Sequence, residues 1–204
     1  MSTVCILDYG SGNVKSVFNL FEPIAGRVVV SNDPVEIARS SHLVLPGVGA
    51  FGSIMRKIRD SLPIETLERM VLRDGKPFLG ICAGMQVLAS RGMEFGEHAG
   101  LGWIAGTVEQ LEATGLSLPH IGWNSIAWEQ DSPLLEGLED DSDFYFVHSF
   151  SFHADITDHV LATTHYGKEF CSVVQRDNLF GVQFHPEKSQ RAGRRLAKNF
   201  LSLQ

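Results

Sequence analysis

The sequence predicts an α/β protein in which a mainly parallel central sheet is flanked by helices and extended by an antiparallel section. Short apolar runs bounded by Gly, Pro or Asp recur, and several are continuous, as expected for strands buried on both faces. Helix-like stretches separate these runs in the first half, whereas few helices separate them between residues 100 and 175. A length of 204 residues suits a single domain spanning residues 1–204.

Each element follows from local pattern. The predicted strands are Val4–Leu7, Val28–Val30, Leu43–Leu45, Phe78–Ile81, Phe144–Val147, Val160–Thr163, Ser172–Gln175 and Phe180–Phe184. The predicted helices are Val14–Phe21, Pro34–Arg39, Phe51–Arg59, Ile64–Arg73, Met85–Ser90 and Gln190–Leu203. Asp33 before Pro34 is a typical N-cap followed by a first-turn proline. Residues 129–143 are acidic and rich in turn formers, which indicates a surface connection.

Composition and charge exclude several classes of protein. The chain is 44% hydrophobic and 20% charged, with a net charge of -7, so we expect neither nucleic acid nor a membrane as partner. The three cysteines form no close pair, which favours a reducing compartment, and the first residues do not form a signal peptide. We therefore expect a cytoplasmic protein, with no metal and no cofactor.

A cysteine between glycines is the strongest candidate for a nucleophile. In Gly80-Ile81-Cys82-Ala83-Gly84, Cys82 follows a predicted strand and precedes a predicted helix. Such a strand-to-helix turn exposes the side chain, the helix N-terminus favours the thiolate, and the next amide can bind an oxyanion. A buried structural cysteine would leave the same trace, and we expect that role for Cys5 and Cys171.

A histidine and a carboxylate follow the last predicted strand. Pro186 favours extended geometry at His185, and in an extended segment residues two apart face the same side. Glu187 could then orient the imidazole while His185 takes the thiol proton. A strand-end histidine in a turn is the alternative for this segment alone. Together with Cys82, however, the segment containing His185 and Glu187 predicts an acyl-transfer site.

A non-catalytic nucleotide-binding module is a rival interpretation from another class. The segment Gly10-Ser11-Gly12-Asn13-Val14-Lys15-Ser16 contains two of the glycines of a dinucleotide-binding turn. Lys15 occupies the place of the third glycine, and the spacing does not match a phosphate-binding Walker loop. The rival is therefore disfavoured.

Six segments together resemble the class I (triad) glutamine amidotransferases from about residue 4 to residue 201. They are Asp8–Asn13, Pro46–Gly52, Leu79–Gln86, Pro119–Asn124, Tyr145–Phe150 and Gly181–Ser189. The resemblance implies the single-domain fold of that family and a glutaminase in which Cys82, His185 and Glu187 form the catalytic triad. In that family the cysteine forms a γ-glutamyl thioester, ammonia leaves, and water then releases glutamate.

The same resemblance implies roles for further residues. Gly47, Val48, Gly49 and Ala83 would form the oxyanion site, and the two glycines suit a backbone that must turn an amide towards an anion. The substrate would be bound by Gly49, Gln86, Glu94, Ser149 and Phe150. Asn13, Trp123, Tyr145 and Lys188 would face a partner subunit. A core tryptophan and tyrosine, a solvated glutamate or a surface glutamine are the ordinary alternatives for such residues.

The six segments, in this order, resemble those of the branch of the family that serves histidine biosynthesis. There the glutaminase subunit forms a heterodimer with a (β/α)₈-barrel cyclase and passes ammonia to it. A glutaminase for anthranilate or aminodeoxychorismate synthesis is the alternative. Those proteins carry a Ser-Pro-Gly-Pro oxyanion segment, which is absent from this sequence.

Overall fold

A computed structural model describes residues 2–139 and 142–203, and strands and helices alternate through the first half of the chain. The strands are β1 Thr3–Leu7, β2 Arg27–Ser31, β3 His42–Gly47, β4 Phe78–Cys82, β5 Arg91–Gly92, β6 His98–Ala99, β7 Gly106–Gln110, β8 His120–Ser125, β9 Ala127–Trp128, β10 Asp143–His148, β11 Phe150–Ala154, β12 Val160–Tyr166, β13 Lys168–Arg176 and β14 Leu179–Val182. The helices are α1 Val14–Phe21, α2 Pro34–Arg39, α3 Phe51–Ser61, α4 Ile64–Glu68, which continues into a π-helical turn at Arg69–Arg73, α5 Ala83–Gln86 and α6 Gln190–Ser202. Short 3₁₀ turns lie at Pro133–Leu135, Thr157–His159 and Pro186–Lys188.

The large sheet has a parallel half and a mostly antiparallel half, as predicted. The order β2-β1-β3-β4-β14 is parallel throughout, and β13, β11 and β7 then continue the sheet with antiparallel pairings. Strands β8 and β10 form a separate antiparallel ribbon. Strand β14, which precedes the predicted histidine, therefore lies directly beside β4, which ends at Cys82.

Four of the five parallel strands, β1, β3, β4 and β14, are buried on both faces, which explains their continuous apolar sequence, whereas the edge strand β2 is partly exposed. In β1, Val4 and Ile6 pack in one hydrophobic cluster with α1 and α6, whereas Cys5 and Leu7 pack in the other with α3. The alternation follows from the period of two in a strand. Polar site residues can therefore lie only where these strands end.

Helix boundaries in the first half agree with the sequence to within two residues, with one exception. Asp33 caps α2, because its carboxylate accepts a hydrogen bond from the Val35 amide at 2.7 Å. The helix predicted at Met85–Ser90 is wrong: α5 ends at Gln86. The carbonyl groups of residues 87–89 accept hydrogen bonds from amides of residues 101–104 instead, so a tertiary contact replaces the helical bonds.

The second half contains strands that the sequence analysis did not identify. Strands β7, β8 and β11 mix polar and apolar residues, because one face of each is less buried than the other. The last strand ends at Val182 and not at Phe184 as predicted. There the chain turns towards β10, and the His185 amide donates to the Tyr145 carbonyl at 2.8 Å.

The segment 129–143 is only partly the surface connection that its composition indicates. Leu134 and Leu135 of its 3₁₀ turn are buried, and residues 140 and 141 lie outside the described residues. Within the two described ranges, no helix combines the length and the apolar character needed to cross a membrane.

Candidate active site

Cys82 occupies a strained turn between β4 and α5. Its φ of 55° and ψ of -115° place a non-glycine residue in a left-handed region of backbone space. The turn also packs tightly against β3: a Cβ on Gly84 would overlap the Leu45 carbonyl oxygen, and one on Gly47 would overlap the Gly84 nitrogen. The glycines are thus required by close approach, and the arrangement matches a nucleophile elbow.

The two residues predicted to partner the thiol are hydrogen-bonded to each other. His185 Nδ1 lies 2.8 Å from Glu187 Oε1, and the carboxylate side chain has no exposed surface. Asn13 Nδ2 donates to the same oxygen at 3.1 Å. The second carboxylate oxygen has no hydrogen-bond partner among the described residues. Glu187 is therefore placed to hold the imidazole with Nε2 available for chemistry.

Charge around His185 favours its protonated form. Burial disfavours the imidazolium, but hydrogen bonds and electrostatic attraction from Cys82 and Glu187 outweigh burial and raise the pKa of His185 to about 9. A protonated imidazole beside a thiolate is the ion pair that activates a cysteine nucleophile near neutral pH.

These residues open into one cavity of about 640 Å³. Most of the residues that the sequence analysis assigned to the site line it: Asn13, Val48, Gly49, Cys82, Ala83, Gln86, Glu94, Ser149, Phe150, His185 and Lys188. Gly47 lies behind the elbow, paired with Cys82 in the β3–β4 register, and Glu187 lies behind His185. Trp123 and Tyr145 do not line the cavity.

The segment predicted to form the oxyanion site is held by the loop before α1. Gly49 has a φ of 114°, which favours glycine, and Val48 is exposed. The Ser11 hydroxyl donates to the Val48 carbonyl at 3.2 Å, and the Tyr9 hydroxyl donates to the Pro46 carbonyl at 2.8 Å. Since Asn13 of the same loop contacts Glu187, one loop contacts both sides of the site.

Two predicted substrate-binding side chains are partly engaged by the protein itself. Gln86 Nε2 donates to the Phe150 carbonyl and to Gln183 Oε1, both at 3.0 Å. The Gln86 oxygen is therefore the atom left to meet a ligand. Glu94 Oε2 accepts from the Phe51 amide at 2.8 Å and so also caps α3.

An exposed aromatic patch, formed by Ile121, Trp123, Tyr145 and Lys188, adjoins the cavity. Trp123 is 47% exposed and Ile121 is 59% exposed on the outer face of β8. The Trp123 and Tyr145 rings meet edge to face with centroids 5.9 Å apart, and Lys188 Nζ lies 5.3 Å from the Tyr145 ring centroid. Since Lys188 also lines the cavity, the patch reaches its mouth.

Two polar residues at the site, His148 and Gln183, were not among the predicted site residues. His148 lines the cavity and belongs to a buried histidine pair, because its Nε2 lies 3.0 Å from His120 Nδ1. Gln183 is fully buried, and its Nε2 lies 3.7 Å from Cys82 Sγ. The spacing of two residues between Gln183 and His185, the same as between His185 and Glu187, was the available signal.

Comparison with known proteins identifies the family. Residues 5–203 match the family described as "Glutamine amidotransferase class-I". Proteins named "Imidazole glycerol phosphate synthase subunit HisH" are 48% identical in Salinibacter ruber, covering 97% of this chain and 93% of the relative, and 44% identical in Aquifex aeolicus, covering 98% and 96%. These names favour the histidine branch over the anthranilate and aminodeoxychorismate alternatives.

Solved structures agree at the level of the fold. A crystal structure of a glutamine amidotransferase superposes with a TM-score of 0.75 at 20% identity, covering 97% of this chain and 96% of that chain. A structure titled "Structure of PurLQS from Thermotoga maritima" gives a TM-score of 0.75 at 19% identity, covering 98% and 97%. The sequence match, the fold and these relatives show that the chain belongs to the class I glutamine amidotransferases and, within them, to the HisH subunits of imidazole glycerol phosphate synthase.

Proposed function

We propose that this glutaminase subunit of imidazole glycerol phosphate synthase hydrolyses glutamine at Cys82 and delivers the ammonia to a cyclase. The observation that carries the proposal is that Cys82, at a strained turn, and His185, hydrogen-bonded to Glu187 behind it, line one cavity. A thiol, a base and a carboxylate that orients the base are the groups that amide hydrolysis through a thioester requires.

The first half of the reaction forms the thioester. The Cys82 thiolate attacks the side-chain carbonyl carbon of glutamine, and the carbonyl oxygen becomes an oxyanion. The C–N bond then breaks as the His185 imidazolium gives its proton to the departing nitrogen, so ammonia leaves and the imidazole becomes neutral. Glu187 holds the ring in one orientation through both events.

The second half restores the enzyme. Neutral His185 removes a proton from water, and the resulting hydroxide attacks the thioester carbonyl. The C–S bond breaks, glutamate leaves, and the thiolate–imidazolium pair is regenerated. Backbone amides of the segment Gly47–Gly49 and of Ala83 would stabilise the oxyanion in both halves, since Val48, Gly49 and Ala83 line the same cavity as Cys82.

The substrate's polar ends have partners in the cavity. The free oxygen of Gln86 and the second carboxylate oxygen of Glu94 are acceptors suited to an ammonium group. Ser149 and Phe150 would hold the remaining backbone of glutamine.

The partner would be a (β/α)₈-barrel cyclase docked on the aromatic patch. Exposed aromatic rings beside a cation are the residue types that anchor interfaces, and the patch reaches the mouth of the cavity. Asn13 would link the interface to the triad through Glu187. The cyclase would use ammonia to form imidazole glycerol phosphate and an aminoimidazole carboxamide ribonucleotide. We propose that this subunit is a single domain and acts in the cytoplasm.

Glutamine turnover with and without the purified cyclase tests the proposal. We expect slow hydrolysis by the isolated chain and faster hydrolysis in the complex, with both lost in Cys82→Ala. Trp123→Ala should weaken cyclase binding by roughly 30-fold or more, because an aromatic anchor contributes at least about 2 kcal/mol to an interface. Val35→Ala, an exposed apolar residue on α2, is the control. Hydrolysis by Cys82→Ala within tenfold of wild type, or unchanged binding by Trp123→Ala, would overturn the respective part.

A further inference from the structure

We infer that Gln183 is a catalytic residue of this site, whose side-chain amide donates a hydrogen bond to the reacting sulfur of Cys82 and stabilises the thiolate. The catalytic role of Gln183 rests on the proposed function, whereas its contact with Cys82 does not depend on which substrate is bound. Gln183 Nε2 lies 3.7 Å from Cys82 Sγ, within the range of an N–H to sulfur hydrogen bond.

Sheet register explains why this side chain reaches the sulfur. Strands β4 and β14 are parallel, with Ile81 opposite Val182. The next residues are Cys82, at the end of β4, and Gln183, just after β14, so the two side chains leave neighbouring strands at the same level. The backbone N–H of Gln183 also donates to the Ser172 carbonyl at 2.9 Å, and this bond fixes the backbone just beyond β14.

The hydrogen bonds around Gln183 determine which end of its amide faces the sulfur. The Phe150 carbonyl can only accept, so the Gln86 atom facing it must be the nitrogen. The same nitrogen faces Gln183 at 3.0 Å, so the Gln183 atom there must be the oxygen. The Gln183 nitrogen is left to face Cys82. The Phe150 carbonyl thus determines the orientation of both side-chain amides, Gln86 and Gln183.

The donor matters more to the thiolate than to the thiol. In the thiol form, the Cys82 sulfur can itself donate to the Val147 carbonyl at 3.9 Å. Loss of the proton removes that bond and leaves a buried negative sulfur that can only accept. Gln183 then supplies an N–H that needs no rearrangement, because the amide is fully buried and held at both ends.

Alkylation of Cys82 by iodoacetamide as a function of pH tests this role. The thiolate displaces iodide, so the rate reports the fraction of thiolate without any need for glutamine turnover. Cys5 and Cys171 are buried, and burial raises the pKa of Cys5 to about 11 and that of Cys171 to about 12, so both should react slowly. Peptide mapping assigns the adduct. None of the variants replaces any of the other titratable groups near the sulfur, which are Tyr9, Glu94, His148, His185, Glu187 and Lys188.

Gln183→Met keeps the side-chain length and removes the donor. We expect the pH of half-maximal alkylation to rise by about one to two units, the order of effect of a hydrogen bond to an ionised group. Gln183→Glu still accepts from Gln86 but brings a negative charge to the sulfur, so it should shift the midpoint at least as far. Gln175→Met is the matched control: it loses a 2.7 Å bond from Ser132 but lies away from Cys82.

A merely structural role for Gln183 would lower the melting temperature and leave the midpoint unchanged. Midpoints of both Gln183 variants within about 0.3 units of wild type would overturn the inference, whatever their stability. In the wild-type chain, the side-chain amide resonance of Gln183 should titrate with the alkylation midpoint, and that of Gln175 should not. An amide resonance that ignores the Cys82 titration would contradict the inference even where no variant folds. Absence of glutaminase activity with a normal Gln183 effect would overturn the proposed function alone.

Discussion

Two buried histidine sites lie at the same cavity and have opposite electrostatics. His185 is hydrogen-bonded to the Glu187 carboxylate and is influenced by the Cys82 sulfur, and its pKa is raised to about 9. His148 and His120 are bonded to each other among aromatic rings; burial lowers the pKa of His148 to about 3 and that of His120 to about 4. Burial acts against the charged form in all three residues. The difference therefore comes from the partner: an anion keeps one imidazole charged, and neutral partners keep the others neutral.

The neutral pair has a defined proton arrangement. His148 Nδ1 donates to the Phe150 carbonyl at 2.9 Å, so its Nε2 must accept from His120 Nδ1. Asn124 then donates to His120 Nε2 at 3.3 Å. The pair thus supports the Phe150 segment that borders the substrate cavity, whereas His185 is placed to move protons.

Replacing one histidine from each site should separate these roles most strongly. His185→Gln removes the acid and base, and we expect kcat for glutamine hydrolysis to fall roughly 10³- to 10⁴-fold. His120→Phe keeps a ring between Tyr166 and Phe146 and should reduce kcat less than about tenfold. Steady-state assays in the cyclase complex provide the comparison. Equal losses in the two variants would contradict the division of roles.

Removing the charge of Glu187 should make His185 resemble the other site. Glu187→Gln keeps the size of the side chain but withdraws the anion, so the pKa of His185 should fall and kcat should drop by roughly 10²-fold or more. The alkaline limb of kcat/KM should move to lower pH. Glu36→Gln, which breaks only a surface ion pair with Arg27, is the control and should leave the limb unchanged.

The pH profile of the wild-type enzyme reports the charged site directly. Below pH 9 the His185 imidazolium can protonate the leaving nitrogen, and above it this proton is lost. We expect kcat/KM to decline by about tenfold per pH unit above pH 9. Because the pKa in the folded state exceeds the ordinary value of 6.5, stability from this group is complete below pH 6.5 and is lost as the pH rises through 9. A profile flat to pH 10.5 would be incompatible with this assignment.

The neutral pair should make the protein sensitive to acid, which is the smallest effect. Its folded pKa values lie below 6.5, so its contribution to stability is complete above pH 6.5 and is lost as the pH falls towards 4 and then 3. Between pH 7 and pH 5 we expect each of the two histidines to reduce the free energy of unfolding by on the order of 1–2 kcal/mol. Urea unfolding should show a smaller pH dependence in His120→Phe, and an equal dependence would be evidence against the neutral pair.

The sequence predicted the parallel half of the fold well because its signals are local. Continuous apolar runs such as Val4–Leu7 and the Asp33-Pro34 cap do not depend on distant contacts. The predicted length of the helix after Cys82 was wrong because the carbonyls of residues 87–89 accept hydrogen bonds from a later segment. Strand β8 was missed because its outer face is an exposed patch, so its sequence lacks an apolar run.

The candidate site shows the same division. Cys82, His185 and Glu187 were predictable from glycine flanks and from a spacing of two residues, which are properties of short segments. Gln183 was not, because its role depends on the register between β4 and β14. The opposite electrostatics of His185 and His148 could not be predicted from the sequence either, because each histidine follows a predicted strand in the same way.

The central claim is that Cys82 is the nucleophile of a glutamine site, and mapping a covalent adduct tests it most directly. A glutamine analogue with an electrophilic carbon in place of the side-chain amide is incubated with the cyclase complex, and the modified peptide is identified by mass spectrometry. We predict one adduct, on Cys82, which excess glutamine prevents and which His185→Gln slows at least about 100-fold. An adduct on another residue, or none in the complex, would contradict the account.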